Sequence, residues 1–425
     1  MKLLIKNGRV VDPRSDTDDT LDILIEDGTI RSVDKRIRDA KAEVFDAVGC
    51  VVAPGFIDMH VHLREPGFER KETIATGMAA ALAGGFTGVA CMPNTDPVND
   101  NGSVTRFILD RAELAGPGSV YPIGAITKGS KGEELALYAE MKEAGIRALS
   151  DDGMPVRDSG VMRRAMEYAA SLDLPIIDHA EEPALTGSGV VNEGEASVRM
   201  GVGGIPAEAE AVAVYRDLLL AGLTNARVHI AHVSTRLSVE AIRWAKSRGV
   251  RVTAEATPHH FSLTESEVLS YDTNAKMSPP LRSADDVKAV VGGIADGTLD
   301  VIASDHAPHT YEEKVQPFDL APNGIIGLQT AVPLALDRLV RHSKIPVMRV
   351  VEALSTKPAA ILGLEDKGSI APGADGDLTI FSLRKKSCLK YEDIKSLGKN
   401  SPFIDRKLQG CVECAVIAGV LYPVD

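Results

Sequence analysis

Residues 146–179 read IRALSDDGMPVRDSGVMRRAMEYAASLDLPIIDH. Ile146 to Asp152 is a β-rich run that closes on two aspartates, and Leu174 to His179 is a second that closes on Asp178-His179. Between them, VMRRAMEYAASLD repeats apolar side chains near every third or fourth position, the period of a helix with one buried face. Strand, helix and strand in this order make a βαβ unit, whose two strands run parallel.

The same alternation continues outward in both directions. Upstream, β-rich runs span Val51 to His62, Phe86 to Met92 and Ser119 to Thr127; downstream they span Arg227 to Val233, Val250 to Ala256 and Leu299 to Asp305. Helical stretches such as TIATGMAAALAGG, EAEAVAVYRDLLLAG and RLSVEAIRWAKSRG lie between them, and several stop at Gly as helices do. Eight such βα units predict an α/β fold, a closed parallel (β/α)8 barrel of the TIM type.

The chain ends have a different character. KLLIKNGRVVD, TLDILIEDGTIRSVD and AEVFDAVGCVVAPG are short strands broken at Asn-Gly, Asp-Gly and Gly, and GDLTIFSL and CAVIAGVLYPVD near the C-terminus read the same way. One small β-sandwich is therefore predicted from residues 1–54 together with 370–425, with the barrel inserted over 55–369.

Composition narrows the function. The 425 residues are 44% hydrophobic and 25% charged, the balance of a globular protein with a large core. A net charge of -13 argues against a nucleic-acid partner, whose phosphates demand a basic face. Any acidic substrate must then be held by locally placed Arg, His and amide groups. The opening MKLLIKNGRVVD has too short an apolar run for a signal-peptide core. Gly77 to Pro93, the longest small-and-apolar stretch, is broken by Gly84-Gly85 and Thr87 and reads as a helix entering a strand, not a membrane span. The five scattered cysteines make no disulfide framework, and the C-x-x-C pair Cys411/Cys414 has no companion, so it is expected to be inert. A cytoplasmic protein without a membrane partner is expected.

Histidine marks the site. Nine of the ten lie in or just beyond the ends of strands one, five, six, seven and eight, leaving only His342 elsewhere. In a barrel those strand ends form the active-site face. His60 and His62 are two apart on the first strand and share a side, with Arg64 just beyond to take a carboxylate. His179, His232 and Asp305 end the fifth, sixth and eighth strands, and the acidic pair Asp151-Asp152 closes the fourth. Four imidazoles and two carboxylates are what two adjacent divalent ions of the zinc type need, with an open position for water. His229, three residues before His232, points the other way on an extended strand and reads as packing. His259 and His260 are expected to support the site, not to ligate.

These residues sit in a longer series. DMHVHLREPG, CMPNTDPV, SDDGMPV, DHAEE, AHVST, EATPHH, SPPLR, ASDHAPH, APNGIIGLQ and NSPF follow one another from residue 58 to residue 403. The chain thereby resembles the bacterial dihydroorotases whose metal bridge is an aspartate. The resemblance implies that His60, His62 and Asp305 hold one zinc-like ion, that His179 and His232 hold the other, and that Asp152 bridges them. Many relatives place a carboxylated lysine at the bridge; GIRALSDD has no lysine there. It further implies a substrate carboxylate bound by Arg64, Asn94 and His309, with Ser278 standing where close relatives carry Asn. Asp305 would take a proton from the attacking water and deliver it to the leaving ring nitrogen. N-carbamoyl-L-aspartate and L-dihydroorotate would be the substrates, in a homo-oligomer that an aspartate transcarbamoylase joins in some relatives.

Two other readings stand beside this one. A hydantoinase, dihydropyrimidinase or allantoinase would share most of the ligands, and Ser278 leans that way. A non-catalytic scaffold for aspartate transcarbamoylase would have lost ligand positions, and here all six are filled. Pro308 to Ile325, PHTYEEKVQPFDLAPNGI, follows the eighth strand and is long enough for a lid over the site, or equally is a plain βα loop.

Overall fold

The architecture comes from a computed structural model that describes residues 1–424. Five strands lead into the barrel: β1 (Lys2–Asp12), β2 (Thr17–Glu26), β3 (Thr29–Asp34), β4 (Glu43–Asp46) and β5 (Val51–Pro54). The barrel strands then follow as β6 (Phe56–Val61), β7 (Phe86–Cys91), β8 (Ser119–Gly124), β9 (Ala148–Leu149) and β10 (Ile176–Asp178). A short pair, β11 (Val191–Asn192) and β12 (Gly204–Ile205), interrupts the series before β13 (Val228–Ile230), β14 (Val252–Ala256) and β15 (Val301–Ile302) complete it. The chain ends on β16 (Leu378–Ser387), β17 (Leu408–Ile417) and β18 (Val420–Pro423).

β6, β7, β8, β9, β10, β13, β14 and β15 pair in that order, all parallel, as the eight-unit reading expects. A parallel bridge between Val61 and His306 joins the last strand back to the first, and His62 N–H donates to the His306 carbonyl at 2.9 Å. Asp58 reinforces this seam by accepting from Ser304 N–H at 3.1 Å through each carboxylate oxygen. Ile57, Met59, Ala90, Ile123, Ala148 and Val301 belong to one buried cluster contributed by successive strands, the packing that fills a barrel.

Several ladders are shorter than the runs read from sequence. The fourth strand pairs only at Ala148–Leu149 instead of Ile146 to Asp152. Backbone hydrogen bonding continues past it, with Ser150 N–H donating to Gly124 O at 2.8 Å, as the chain turns its polar residues toward the barrel mouth. Helix starts follow the sequence chemistry: Asn101, Asp158, Thr235 and Ser283 each accept a first-turn backbone N–H with the side chain.

The terminal strands form one curled sheet in the order β18-β17-β16-β5-β1-β2-β3, with β4 also on β1. Leu3–Lys6 of β1 pair with β4 and Arg9–Val10 pair with β5, so the sheet forks and encloses its own core of Leu3, Ile23, Val52, Ile380 and Val416. Val51 to His62 is thus two strands and not one. Gly55 divides them: its N–H donates to Asp377 O at 2.8 Å, and a Cβ there would sit 2.3 Å from Thr87 Oγ1. Cys411 and Cys414 are free thiols, the second buried in the terminal-sheet core. No helix among the described residues is long and apolar enough to cross a membrane.

Phe56 fastens sheet to barrel. Its ring lies 6.5 Å from Phe86 and 5.8 Å from Phe381, and its N–H donates to Thr379 Oγ1 at 3.0 Å. Phe56→Ala should lower stability to urea by about 3–5 kcal/mol through lost burial and the cavity left behind. A loss under about 1 kcal/mol would contradict this role.

Candidate metal centre

The first strand places its histidines by a bulge. Asp58 pairs with Val89 and Val61 with Cys91, so β6 carries one extra residue against β7. Asp58 holds the bulge by accepting from His60 N–H at 3.1 Å. Such an insertion re-aims side chains: Met59 stays in the barrel core while His60 and His62 both join the cluster at the mouth. His232 and Asp305, at the ends of β13 and β15, have φ of 29° and 47°. Non-glycine residues in that region cost of order 1–3 kcal/mol, and such strain concentrates where a side chain must be aimed.

The six residues expected to ligate metal come together, none more than 6% exposed. Asp152 is the centre. Its Oδ1 lies 3.3 Å from His60 Nε2 and 3.7 Å from both His179 Nδ1 and His232 Nε2, while Oδ2 lies 3.5 Å from His62 Nε2. Asp305 Oδ1 is 3.1 Å from His62 Nε2 and 3.5 Å from His60 Nε2. His179 Nδ1 and His232 Nε2 are 2.8 Å apart. His60, His62 and Asp152 form one set whose donor atoms all lie within 4.8 Å of one another; Asp152, His179 and His232 form a second, and His60, His232 and Asp305 a third. Asp151 is turned away, accepting from Ile126 and Thr127 N–H at 2.8 and 3.1 Å.

The outer nitrogens show what the inner ones face. His60 Nδ1–H donates to Glu255 Oε1 at 2.7 Å, and His62 Nδ1–H to Asn94 Oδ1 at 3.0 Å. Each imidazole therefore turns Nε2 toward carboxylate oxygens, an arrangement that requires a proton or a metal cation between the two. His60 Nε2 and Asp152 Oδ1 are buried with no hydrogen-bond partner. Burial opposes ionisation of Asp152, yet the imidazoles of His60, His179 and His232 hold its carboxyl well below the usual range. Burial also opposes ionisation of Asp305, and His60 and His62 outweigh it, bringing its pKa to about 2. A buried donor set of this kind fits divalent metal.

Glu255 was not singled out from the sequence. It accepts from His60, from His229 Nε2 at 3.1 Å and from His232 N–H at 3.1 Å. His229 accordingly belongs to the polar network behind the cluster and is not simple packing. The signal in the sequence is the Glu that opens EATPHH at the end of a strand, beside two histidines that are the more conspicuous donors. Glu181, in DHAEE, is a second omission, 3.3 Å from His179 Nε2.

The residues expected to hold a substrate carboxylate border the cluster. Arg64, at φ 62°, gives Nε to Pro308 O at 3.3 Å, and its two terminal nitrogens have no hydrogen-bond partner among the described residues. Asn94 is tied to His62 by its oxygen, which leaves its amide N–H groups for another partner. His309 donates Nε2–H to Asn323 O at 2.8 Å. Its burial, together with the charges of Arg64 and Lys71, pushes its pKa down to about 3. Ser278 is half-buried and its hydroxyl makes no hydrogen bond among the described residues. The loop from Pro308 to Ile325 is pinned: Lys276 Nζ donates to Ala321 O at 2.6 Å, Lys314 Nζ to Pro322 O at 2.9 Å, and Asn400 Nδ2 to Gly324 O at 3.0 Å.

Residues 49–238 match the family model described as dihydro-orotase-like. The dihydroorotase of Syntrophotalea carbinolica is 54% identical over 99% of this chain and 98% of its own length. That of Pelotomaculum thermopropionicum is also 54% identical over the same shares. Among solved structures, the L-hydantoinase (dihydropyrimidinase) of Arthrobacter aurescens superposes with a TM-score of 0.89 at 26% identity, covering 99% of this chain and 95% of that one.

Glu255→Gln keeps the volume but removes the carboxylate that orients His60. Divalent-metal affinity, read by chelator competition, should fall about 10–100-fold. Wild-type affinity in the variant would show that Glu255 has no part in holding the site.

Proposed function

This chain belongs to the dihydroorotase family, and from that premise we propose that the buried cluster is a two-ion hydrolytic centre whose bridging ligand is Asp152. The enzyme is a hydrolase of cyclic amide C–N bonds that interconverts L-dihydroorotate and N-carbamoyl-L-aspartate. The observation that carries the site assignment is the reach of a single carboxylate, Asp152, to four imidazoles from three strand ends.

In this reading His60, His62 and Asp305 would hold one ion and His179 and His232 the other, with zinc a metal that suits such nitrogen-rich donor sets. When bound, two such ions lower the pKa of water to roughly 7 and polarise a carbonyl oxygen. The chain's own residues do the rest. Asp305 is ionised, touches His62 and stands at the edge of the cluster, placed to take the proton of the attacking water. Its carboxylic acid then returns that proton to the ring nitrogen as the amide C–N bond breaks. In the ring-closing direction the same carboxylate removes the proton from the attacking carbamoyl nitrogen and hands it to the departing water.

Arg64 offers two free N–H-bearing nitrogens, the geometry that grips a planar carboxylate through two charge-assisted bonds. The Asn94 amide and the neutral His309 imidazole supply further polar contacts at the same border, and Ser278 contributes to substrate binding through its side chain or its backbone. A net charge of -13 makes this local capture necessary, since the overall field repels a dianion. Homo-oligomer formation, a cytoplasmic setting and an aspartate transcarbamoylase partner rest, in this proposal, on family membership.

The likeness to a hydantoinase raises a second substrate class, because the two share a fold over nearly their whole lengths. Sequence separates them: 54% identity to dihydroorotases stands against 26% to the hydantoinase. Purified enzyme should hydrolyse dihydroorotate at least about 100-fold more efficiently than hydantoin, dihydrouracil or allantoin, a margin expected of a site that pairs a half-buried arginine with a substrate carboxylate. Comparable rates across the four would reject the assignment. Asp305→Ala should cut kcat by roughly 10²-fold or more while the fold survives. Arg64→Met should instead raise KM with a smaller effect on kcat, and unchanged saturation kinetics would remove Arg64 from substrate binding.

A further inference from the structure

At the opposite end of the barrel from the metal cluster, a cavity of about 500 Å³ opens beside the N-terminal ends of β9, β10 and β13. Arg147 and Leu174 enter it just ahead of β9 and β10, Arg227 just ahead of β13, and the stretch from Thr356 to Leu364 closes one side. Arg14 reaches in from the β1–β2 hairpin. The volume lies within the roughly 300–1,000 Å³ of small-molecule sites.

Its charge runs against the composition of the chain. Five cations line the cavity, Arg14, Lys142, Arg147, Arg227 and Lys367, against two carboxylates, Asp173 and Glu365. Arg227 Nε is 3.2 Å from Asp173, and Lys367 Nζ is 2.6 Å from Asp377 and 2.9 Å from Asp375, so these two are neutralised. Arg14, Lys142 and Arg147 have no carboxylate partner among the described residues. Lys142 caps a helix end, giving Nζ to Leu172 O at 2.5 Å, and Arg14 gives one N–H to Glu365 O at 3.1 Å. Capping accounts for Lys142 but for neither arginine, and the Arg147 guanidinium makes no hydrogen bond among the described residues.

Arg14, Lys142 and Arg147 are exposed, and Glu365 is the one lining carboxylate without an ion-pair partner among the described residues, so cations outnumber it three to one in a protein whose net charge is -13. An anion between them would balance the remaining positive charge. The remaining lining is apolar, through Leu174, Ala359, Leu362 and Leu364. We propose that this cavity binds a phosphate-bearing small molecule with a flat or apolar body, of the nucleoside monophosphate kind. Its phosphate would lie against Arg147, Arg14 and Lys142, and its body against the leucines. Guanidinium groups suit phosphate because they offer paired donors in one plane. The site is separate from the catalytic one and does not depend on the reading of that site.

Isothermal titration calorimetry with adenosine and uridine 5′-monophosphates, and with inorganic phosphate, tests this on the full chain. At least one nucleotide should bind one-to-one with a Kd below about 1 mM. Arg147→Glu should weaken it about tenfold or more, and Arg14→Glu should weaken it as well. Both variants should turn over dihydroorotate at the wild-type rate without nucleotide. Arg64→Met should leave nucleotide binding unchanged, which separates this cavity from capture in the active site. No binding of either nucleotide at about 5 mM, affinity for inorganic phosphate equal to theirs, or full affinity in Arg147→Glu would each overturn the proposal.

Discussion

Asp152 sits in the interior with its carboxylate aimed at four imidazoles, and the organisation of the barrel mouth follows from how that charge is met. A buried carboxylate far from water is costly unless opposite charge and donors surround it. Here Asp305 and Glu255 add further negative charge around His60, and against its burial these carboxylates hold the metal-free imidazole protonated, its pKa well above the usual value. Divalent cations would take the place of such protons. The strain stored at His232 and Asp305 and the bulge in the first strand are consistent with a geometry set by such a centre and imposed on the backbone.

The rest of the molecule serves that constraint at a distance. The barrel brings strand ends from widely separated parts of the chain to one mouth, and the Val61–His306 closure fixes the first and eighth strands against each other. Glu255 locks His60, His229 and the backbone of His232 from behind, as a carboxylate behind a metal-binding histidine does. Asn400, from the C-terminal segment NSPF, accepts from His309 N–H and donates to Ala307 O and Gly324 O, so the last part of the chain holds the loop that borders the site. Phe56 and Gly55 tie the terminal sheet to the first strand where the histidines begin.

Much of this was legible in the sequence, for identifiable reasons. Eight periodic βα units are a long, redundant signal, and His, Asp and Arg at strand ends carry position information because all parallel strands end on one face. Strand alternation alone grouped His60 with His62, though the structure achieves that grouping with a bulge that alternation does not describe. The same rule misled for His229, whose ring reaches Glu255 and so joins the network it was thought to avoid. Glu255 and the forked terminal sheet were missed because each depends on contacts between residues far apart in the chain. The Gly55 break was missed because it depends on Thr87 and Asp377, and a local pattern contains no trace of either.

The most direct test of a two-ion centre bridged by Asp152 is anomalous diffraction at the zinc edge from crystals of the protein grown with zinc. The account predicts two peaks in the mouth of the barrel, one among His60, His62 and Asp305, the other beside His179 and His232, with Asp152 contacting both. A single peak, or peaks that leave Asp152 outside their coordination, would contradict it.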